Sequence, residues 1–151
     1  MKRGFMKRTA FKSKSVKKKK PSVSQTKKKV WVQFSIFIRT RGADSEGWNT
    51  CVTCGVRKFW RDLQAGHFIR GRLNATLFNE TGVWPQCYGC NVGAQGNVVL
   101  YYKWMLARFG QGTIDRLIEQ NNHTHKWGAT ELGDLFTRYS SLNKNNPLVE
   151  K

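Results

Sequence analysis

Four cysteines stand in two equal spacings, Cys51-Val-Thr-Cys54 and Cys87-Tyr-Gly-Cys90. Two residues between thiols let both sulfurs of a pair reach one ion from a tight turn, and Gly55 relaxes the turn after the first pair. Two such pairs supply the four thiolates that zinc prefers in a closed tetrahedral site, with no position left for substrate, so the metal is structural. One pair alone could serve redox chemistry. Two favour metal, and the chemical alternative, an iron–sulfur cluster, has no support in the basic, aromatic sequence around them. A structural zinc is worth on the order of 10 kcal/mol in small zinc modules, so its binding is coupled directly to folding.

Between and just after these pairs lie Ala65-Gly66-His67-Phe68-Ile69, Phe78-Asn79-Glu80 and Trp84-Pro85-Gln86-Cys87, and Asn91 follows the last cysteine. Hydrolysis of a phosphodiester needs a base to take a proton from water, which neutral imidazole does near pH 7. It also needs a divalent cation against the charge that builds on the phosphate and the leaving oxygen. His67 is the general-base candidate. Asn79 is the candidate for holding the imidazole in its working tautomer, and Asn91 the candidate ligand of a magnesium or manganese ion. The plainer readings are a satisfied histidine, a turn residue and a helix cap. Arg57, Lys58, Arg61, Arg70 and Arg72 are interleaved with Phe59, Trp60 and Phe68. Basic groups neutralise phosphate and aromatic groups stack on unpaired bases, so this stretch is the candidate DNA-binding surface. Arg70 and Arg72, on the same short segment as His67, lead that set.

A His on a short strand, an Asn in the next loop and a polar residue opening a helix after the second cysteine pair resemble the HNH (His-Me finger) nuclease motif on a zinc-bound, treble-clef-like core. The order CVTCG, AGHF, FNE, PQCYGCN and QGN, then HKW before a last amphipathic helix, is similar over roughly residues 30–140 to the phage NinG (Rap) recombination endonucleases. The resemblance implies structure-selective cleavage of branched DNA, such as Holliday junctions and D-loops, in phage recombination in the cytoplasm of the bacterial host. Asn97 matches the family's Gly-Asn, where it would position the metal or cap the next helix, and His125 matches its His-Arg-Trp. Gly66 stands where many HNH sequences carry a metal-binding Asp or His, which leaves Asp62 and Glu80 as acidic candidates for a second ligand. Leu77 stands where the family commonly has Arg.

These residues need a scaffold. The chain has 151 residues, a length typical of one domain, and can bury roughly 70% of its unfolded surface. Its net charge of +18 argues against an acidic small-molecule enzyme and for a polyanion partner, nucleic acid before membrane. Residues 1–29 hold 13 Lys and Arg and no acid, so the remainder carries only +5. That Lys-rich stretch, with few apolar residues such as Phe5, Met6 and Phe11, reads as a disordered arm that tracks phosphate. Residues 30–151 read as a single α+β domain, a zinc-stabilised treble-clef-like ββα HNH core with flanking α-helices.

Within that domain, Val30, Phe34, Phe37 and Ile38 make a helical stripe, although Val30 to Ile38 also alternate as a strand would. The reading favours a helix ending near Gly42, then a polar loop from Asp44 to Asn49. Residues 50–97 read as turns and short strands. Val99, Tyr102, Leu106 and Phe109 predict a core-facing stripe closed by Gly110. Thr113 and Thr130 are candidate caps for two further helices, the first burying Ile114, Leu117 and Ile118, the second Leu132, Leu135, Phe136 and Tyr139. No stretch approaches the ~20 apolar residues of a membrane span, and the N-terminal charges lack the apolar run of a signal peptide. A reducing compartment follows, with cysteines as ligands rather than disulfides. Competing classes are a non-catalytic zinc-stabilised nucleic-acid-binding module and a general HNH nicking endonuclease. Symmetric junction cutting would favour a homodimer, since two strands need two active sites, but no coiled-coil or interface pattern is visible.

Overall fold

The structure is a computed structural model that describes residues 21–149. Four helices, α1 (Val23–Thr40), α2 (Val98–Phe109), α3 (Gln111–Asn122) and α4 (Ala129–Lys144), surround four short strands. The strands are β1 (Trp48–Thr50), β2 (Arg57–Phe59), β3 (Leu63–His67) and β4 (Val83–Cys87), and single helical turns lie at Trp60–Asp62, Asn74–Thr76 and Gly89–Gly93. The chain is thus a mixed α+β structure, as expected. β1 pairs with β2 and β3 with β4, both antiparallel and in separate two-stranded sheets. A lone two-stranded ribbon is marginal in water, so each must lean on something else.

The β3–β4 hairpin leans on α1. Val30, Phe34 and Ile38 lie one helical turn apart and are fully buried, against Ala65 and Val83 of the hairpin, Leu77 and Phe78 of the following loop, and Leu132 and Tyr139 of α4. That i, i+4, i+8 stripe decides between helix and strand in favour of helix. α1 starts at Val23, inside the stretch expected to be a disordered arm. The Ser22 hydroxyl accepts from the Gln25 N–H and the Gln25 side chain accepts from the Ser22 N–H. This capping box satisfies two otherwise orphaned donors and offsets the repulsion among Lys27, Lys28 and Lys29. The rest of the expected arm, residues 1–20, lies outside the described residues.

A second cluster, Phe68, Tyr101, Met105, Ile114 and Leu117, joins α2 and α3 to the hairpin's far side. It corrects the expected face of α2. Tyr101 and Met105 are buried, whereas Val99 is 68% exposed and Tyr102 and Leu106 also face outward. Both stripes have helical spacing. The Tyr101 hydroxyl donates to the Gly66 carbonyl at 3.0 Å, which turns the Tyr101 face inward. Gly110 closes α2 as expected, at φ 74°, and is also the N-cap of α3 in place of Thr113. Gly128, backed by Glu131, caps α4 in place of Thr130. Ile118 and Phe136, expected inward, are exposed. Among the described residues no helix is long and apolar enough to cross a membrane.

Candidate active site and metal centre

The first cysteine pair occupies the turn between β1 and β2. The Cys51 N–H donates to the Val56 carbonyl and the Gly55 N–H to the Cys51 carbonyl. Gly55 sits at φ 75°, a conformation that favours glycine. The second pair starts on the last residue of β4 and continues into the turn Gly89–Gly93. The Val52 N–H donates to the Pro85 carbonyl and ties the two segments together. All four sulfurs lie within 4.8 Å of one another. Cys54 Sγ and Cys87 Sγ are 3.8 Å apart, the separation that tetrahedral zinc–thiolate bonds of ~2.3 Å impose. The donor set therefore fits: these four cysteines could hold a metal such as zinc.

Polar groups surround the sulfurs. The Thr53 hydroxyl is 3.0 Å from Cys51 Sγ, and the Cys90 N–H donates to Cys87 Sγ. Burial raises the Cys51 thiol, but the Thr53 hydroxyl and backbone N–H groups outweigh it and hold that thiol at about 6. At Cys54 the Val56 N–H works downward, yet burial and the neighbouring sulfurs push the thiol up to about 12. The Cys51 thiolate forms readily while burial and neighbouring sulfurs hold Cys54 and Cys87 up, a conflict that a bound cation would remove. The Asn97 amide donates to Cys90 Sγ at 3.6 Å. Asn97 is the N-cap residue of α2, one of its two expected roles, at φ 46°; its backbone carbonyl accepts from the Tyr101 N–H, while its side chain makes no capping hydrogen bond and serves the cysteine cluster instead.

His67 is the last residue of β3 and is 8% exposed. Its Nε2 lies 3.1 Å from the Leu77 carbonyl. A carbonyl only accepts, so Nε2 carries the proton and Nδ1 keeps the lone pair. The Trp31 indole stacks on the imidazole, with centroids 5.2 Å apart and planes 16° apart. Burial, helped by the nearby Arg72 charge, lowers the His67 pKa to about 4, although the Leu77 carbonyl pulls the other way. The ring is therefore neutral at pH 7, the state a base needs.

His67 lines a cleft of about 320 Å³ together with Asn91, Arg70, Arg72 and Gln95, and among the described residues no carboxylate lines it. Asn91 sits in the turn after the second cysteine pair, where its amide donates to Gln64 Oε1 at 2.6 Å. That turn ends at Gly93 and α2 begins only at Val98, so Asn91 does not open a long helix. The Arg70 guanidinium donates to Gln95. Arg72, at φ 49°, lies 4.9 Å over the Trp31 ring. Arg72 also borders two adjoining depressions, one with Arg39 and Trp31, the other with Lys27, Lys28 and Trp31. A cationic, aromatic track thus runs from α1 to His67.

Other expected site residues are not brought to this cleft. Asn79 does not contact His67: its Oδ1 accepts from the Thr81 and Gly82 N–H groups and its amide donates to Gln120. It shapes the turn downstream of Leu77, whose backbone carbonyl does the orienting. Arg57 and Lys58 lie on β2, and Arg57 is ion-paired with Asp44. Glu80 pairs with Arg138 and accepts from the Tyr139 hydroxyl. Asp62 is exposed in the turn Trp60–Asp62 and does not line the cleft. His125 pairs with Glu131 and packs on Trp127. At Gly66 a Cβ would stand 2.0 Å from Gln86 Oε1, so Gln86 excludes the Asp or His that many HNH sequences carry before their His. Gln86 is fully buried, and its amide donates to the Gly96 carbonyl. Trp31 and Gln64 lie outside the motifs, whereas Gln86 and Gln95 lie inside PQCYGCN and QGN with no role expected of them. For Trp31 the adjoining Lys27 to Lys29 block is a usable signal, and for Gln86 and Gln95 the motifs are; for Gln64 there is none.

The family profile described as "Bacteriophage Lambda NinG protein" matches residues 2–147. Protein ninG of Escherichia phage lambda is 32% identical over 110 residues, 72% of this chain and 51% of that protein. Protein ninG of Escherichia phage 933W is 31% identical over 110 residues, covering 72% of this chain and 52% of its own length. For protein ninG of Salmonella phage P22 the identity is 29%, with coverage of 72% and 51%. The chain spans about half the length of these curated relatives. No solved structure matches it significantly.

Proposed function

The chain belongs to the NinG family of bacteriophage proteins, and on that premise we propose that it is a metal-dependent, structure-selective endonuclease. Its substrate is branched DNA, such as Holliday junctions and D-loops, cut during phage recombination in the bacterial host. The site is of the HNH type, on a zinc-stabilised treble-clef-like ββα core formed by β3, β4 and the turn after Cys87. The observation that carries this reading is His67: neutral, locked in one tautomer by the Leu77 carbonyl, and set in a cationic cleft beside Arg70 and Arg72.

In the mechanism, His67 Nδ1 accepts the proton of the attacking water. The Leu77 carbonyl holds Nε2–H, and Trp31 limits rotation of the ring. Arg70 and Arg72 hold the scissile phosphate and neutralise its charge. Asn91 Oδ1 is the oxygen that would be offered to a magnesium or manganese ion in this cleft, and DNA phosphate and water would complete the shell, as this ion commonly requires. When bound, that ion stabilises charge on the phosphate and the leaving oxygen. The four cysteines hold zinc for structure alone.

One observation favours a second reading, a non-catalytic zinc-stabilised nucleic-acid-binding module. The cleft has no carboxylate, and Gln86 fills the place of the second ligand. A single assay separates the readings: zinc-loaded protein with magnesium or manganese, on a four-way junction, a flap and a linear duplex in parallel. Junction-selective cuts are expected. Equal cutting of all three indicates a general nicking enzyme, and no cutting indicates the binding module.

A further inference from the structure

β3 and β4 expose a second surface. Gly66 pairs with Trp84 and His67 with Val83, and side chains alternate along a strand, so Trp84 and His67 leave opposite faces of the hairpin. On the Trp84 side lies a pocket of about 380 Å³, within the range of small-ligand sites. Its walls include Arg41, Trp84, Trp104, Arg108 and the turn at Val52.

The chemistry of this pocket is specific. Trp84 and Trp104 meet edge to face at 4.9 Å. The Arg41 guanidinium covers Trp84 at 3.8 Å and donates to the Val83 carbonyl, while its Nε is buried without a partner. Arg108 is exposed, lies 5.3 Å over Trp84 and 5.7 Å over Trp104, and forms no ion pair among the described residues. Among the described residues no carboxylate lines the pocket, and the acidic group that acts on Arg41, Glu80, is already paired with Arg138. Two cations with no ion-pair partner of their own there select an anionic ligand, and two indoles select one with a flat π-face.

We infer that this pocket receives one unpaired nucleotide of a DNA branch, its base stacked against the Trp84–Trp104 pair and its phosphate held by Arg108. A fully paired duplex presents no free base face and does not enter. The pocket would then anchor the branch point across the hairpin from the His67 cleft. The inference rests on DNA being the partner, but not on cleavage.

The test uses the full chain with zinc bound and no other divalent metal, and measures affinity for three DNAs. These are a perfect duplex, a duplex with one bulged nucleotide, and the same bulge with an abasic residue. The base-bearing bulge is expected to bind about tenfold tighter than the abasic one, in line with base–aromatic stacking. Arg108→Ala should weaken binding to both bulged DNAs while leaving the perfect duplex near its wild-type affinity, and Trp104→Leu should remove the base preference. Equal binding of base-bearing and abasic bulges by the wild type overturns the proposal, whatever the folding of the variants. So does an equal loss on duplex and bulge in Arg108→Ala, or free deoxynucleoside monophosphate binding as tightly as bulged DNA. His67→Ala should keep the base preference. Base preference here with no cleavage in the magnesium or manganese assay would refute the nuclease reading alone, and cleavage in that assay without base preference here would refute the pocket alone.

Discussion

At one end of the β3–β4 hairpin Leu63 pairs with Cys87 inside the cysteine cluster; at the other, His67 pairs with Val83 against α1. The two ends are held by different forces. Among the described residues Leu63 is the only buried non-cysteine apolar member of the cysteine cluster, so bonds to a metal that these cysteines could hold would stand in for apolar burial. Around His67 the restraint comes from aromatic packing, with Trp31, Phe34 and Phe78 in mutual contact, and from one backbone carbonyl. A metal clamp fixes geometry from a few local residues. An aromatic clamp needs segments far apart in the chain, and it excludes water, which keeps the imidazole neutral.

The largest effect should come from breaking the metal end. Stripping zinc with a strong chelator, or Cys87→Ser, removes a contribution on the order of 10 kcal/mol. Near-ultraviolet dichroism of the region from β1 to β4 should collapse, while far-ultraviolet helical signal from α1 and α4 persists in part. Unchanged spectra with no zinc bound would show that the cysteines do not carry this end.

The His67 end should respond to pH instead. His67 has a pKa of about 4 in the folded chain against an ordinary value of 6.5. Its contribution is fully present above pH 6.5 and is lost as pH falls toward 4, up to about 3 kcal/mol. Urea unfolding of wild type and His67→Gln across this window checks the sign: the wild type should lose stability faster as the solution is acidified. Parallel curves would mean that His67 is not held neutral by burial.

Asn79→Ala should act more weakly, because it removes acceptors for the Thr81 and Gly82 N–H groups rather than a contact to His67. A loss of about 1 kcal/mol in thermal unfolding is expected, with cleavage reduced but retained; abolished cleavage in a folded variant would restore a direct role. The smallest effects separate the arginines. Arg72→Ala should lower the salt slope of DNA binding by about 0.9. Arg57→Ala, on the metal end and already paired with Asp44, should leave it unchanged.

The same contrast explains what could be read from the sequence. The cysteine cluster is legible because its chemistry is written in residue types three positions apart. His67 and its neighbours Arg70 and Arg72 were also visible. The group that orients His67 was not, because it is a backbone carbonyl that any residue could supply, and Asn79 looked like the orienter only because it is nearby. Trp31 comes from a helix well upstream. On α2 two stripes had equal periodicity, and only contact with Gly66 and α3 selects Tyr101 and Met105 over Val99, Tyr102 and Leu106. The start of α1 lies within a run of like charges, where the Ser22–Gln25 box is the one local mark of a helix beginning.

The central claim, that the cleft between the two clamps is a hydrolytic site with His67 as its base, is tested most directly by His67→Ala on a four-way junction. Removing a general base should lower the cleavage rate by roughly 10²–10⁴-fold, with zinc content and junction affinity near wild type. Undiminished cleavage by a folded, zinc-loaded His67→Ala protein would contradict it.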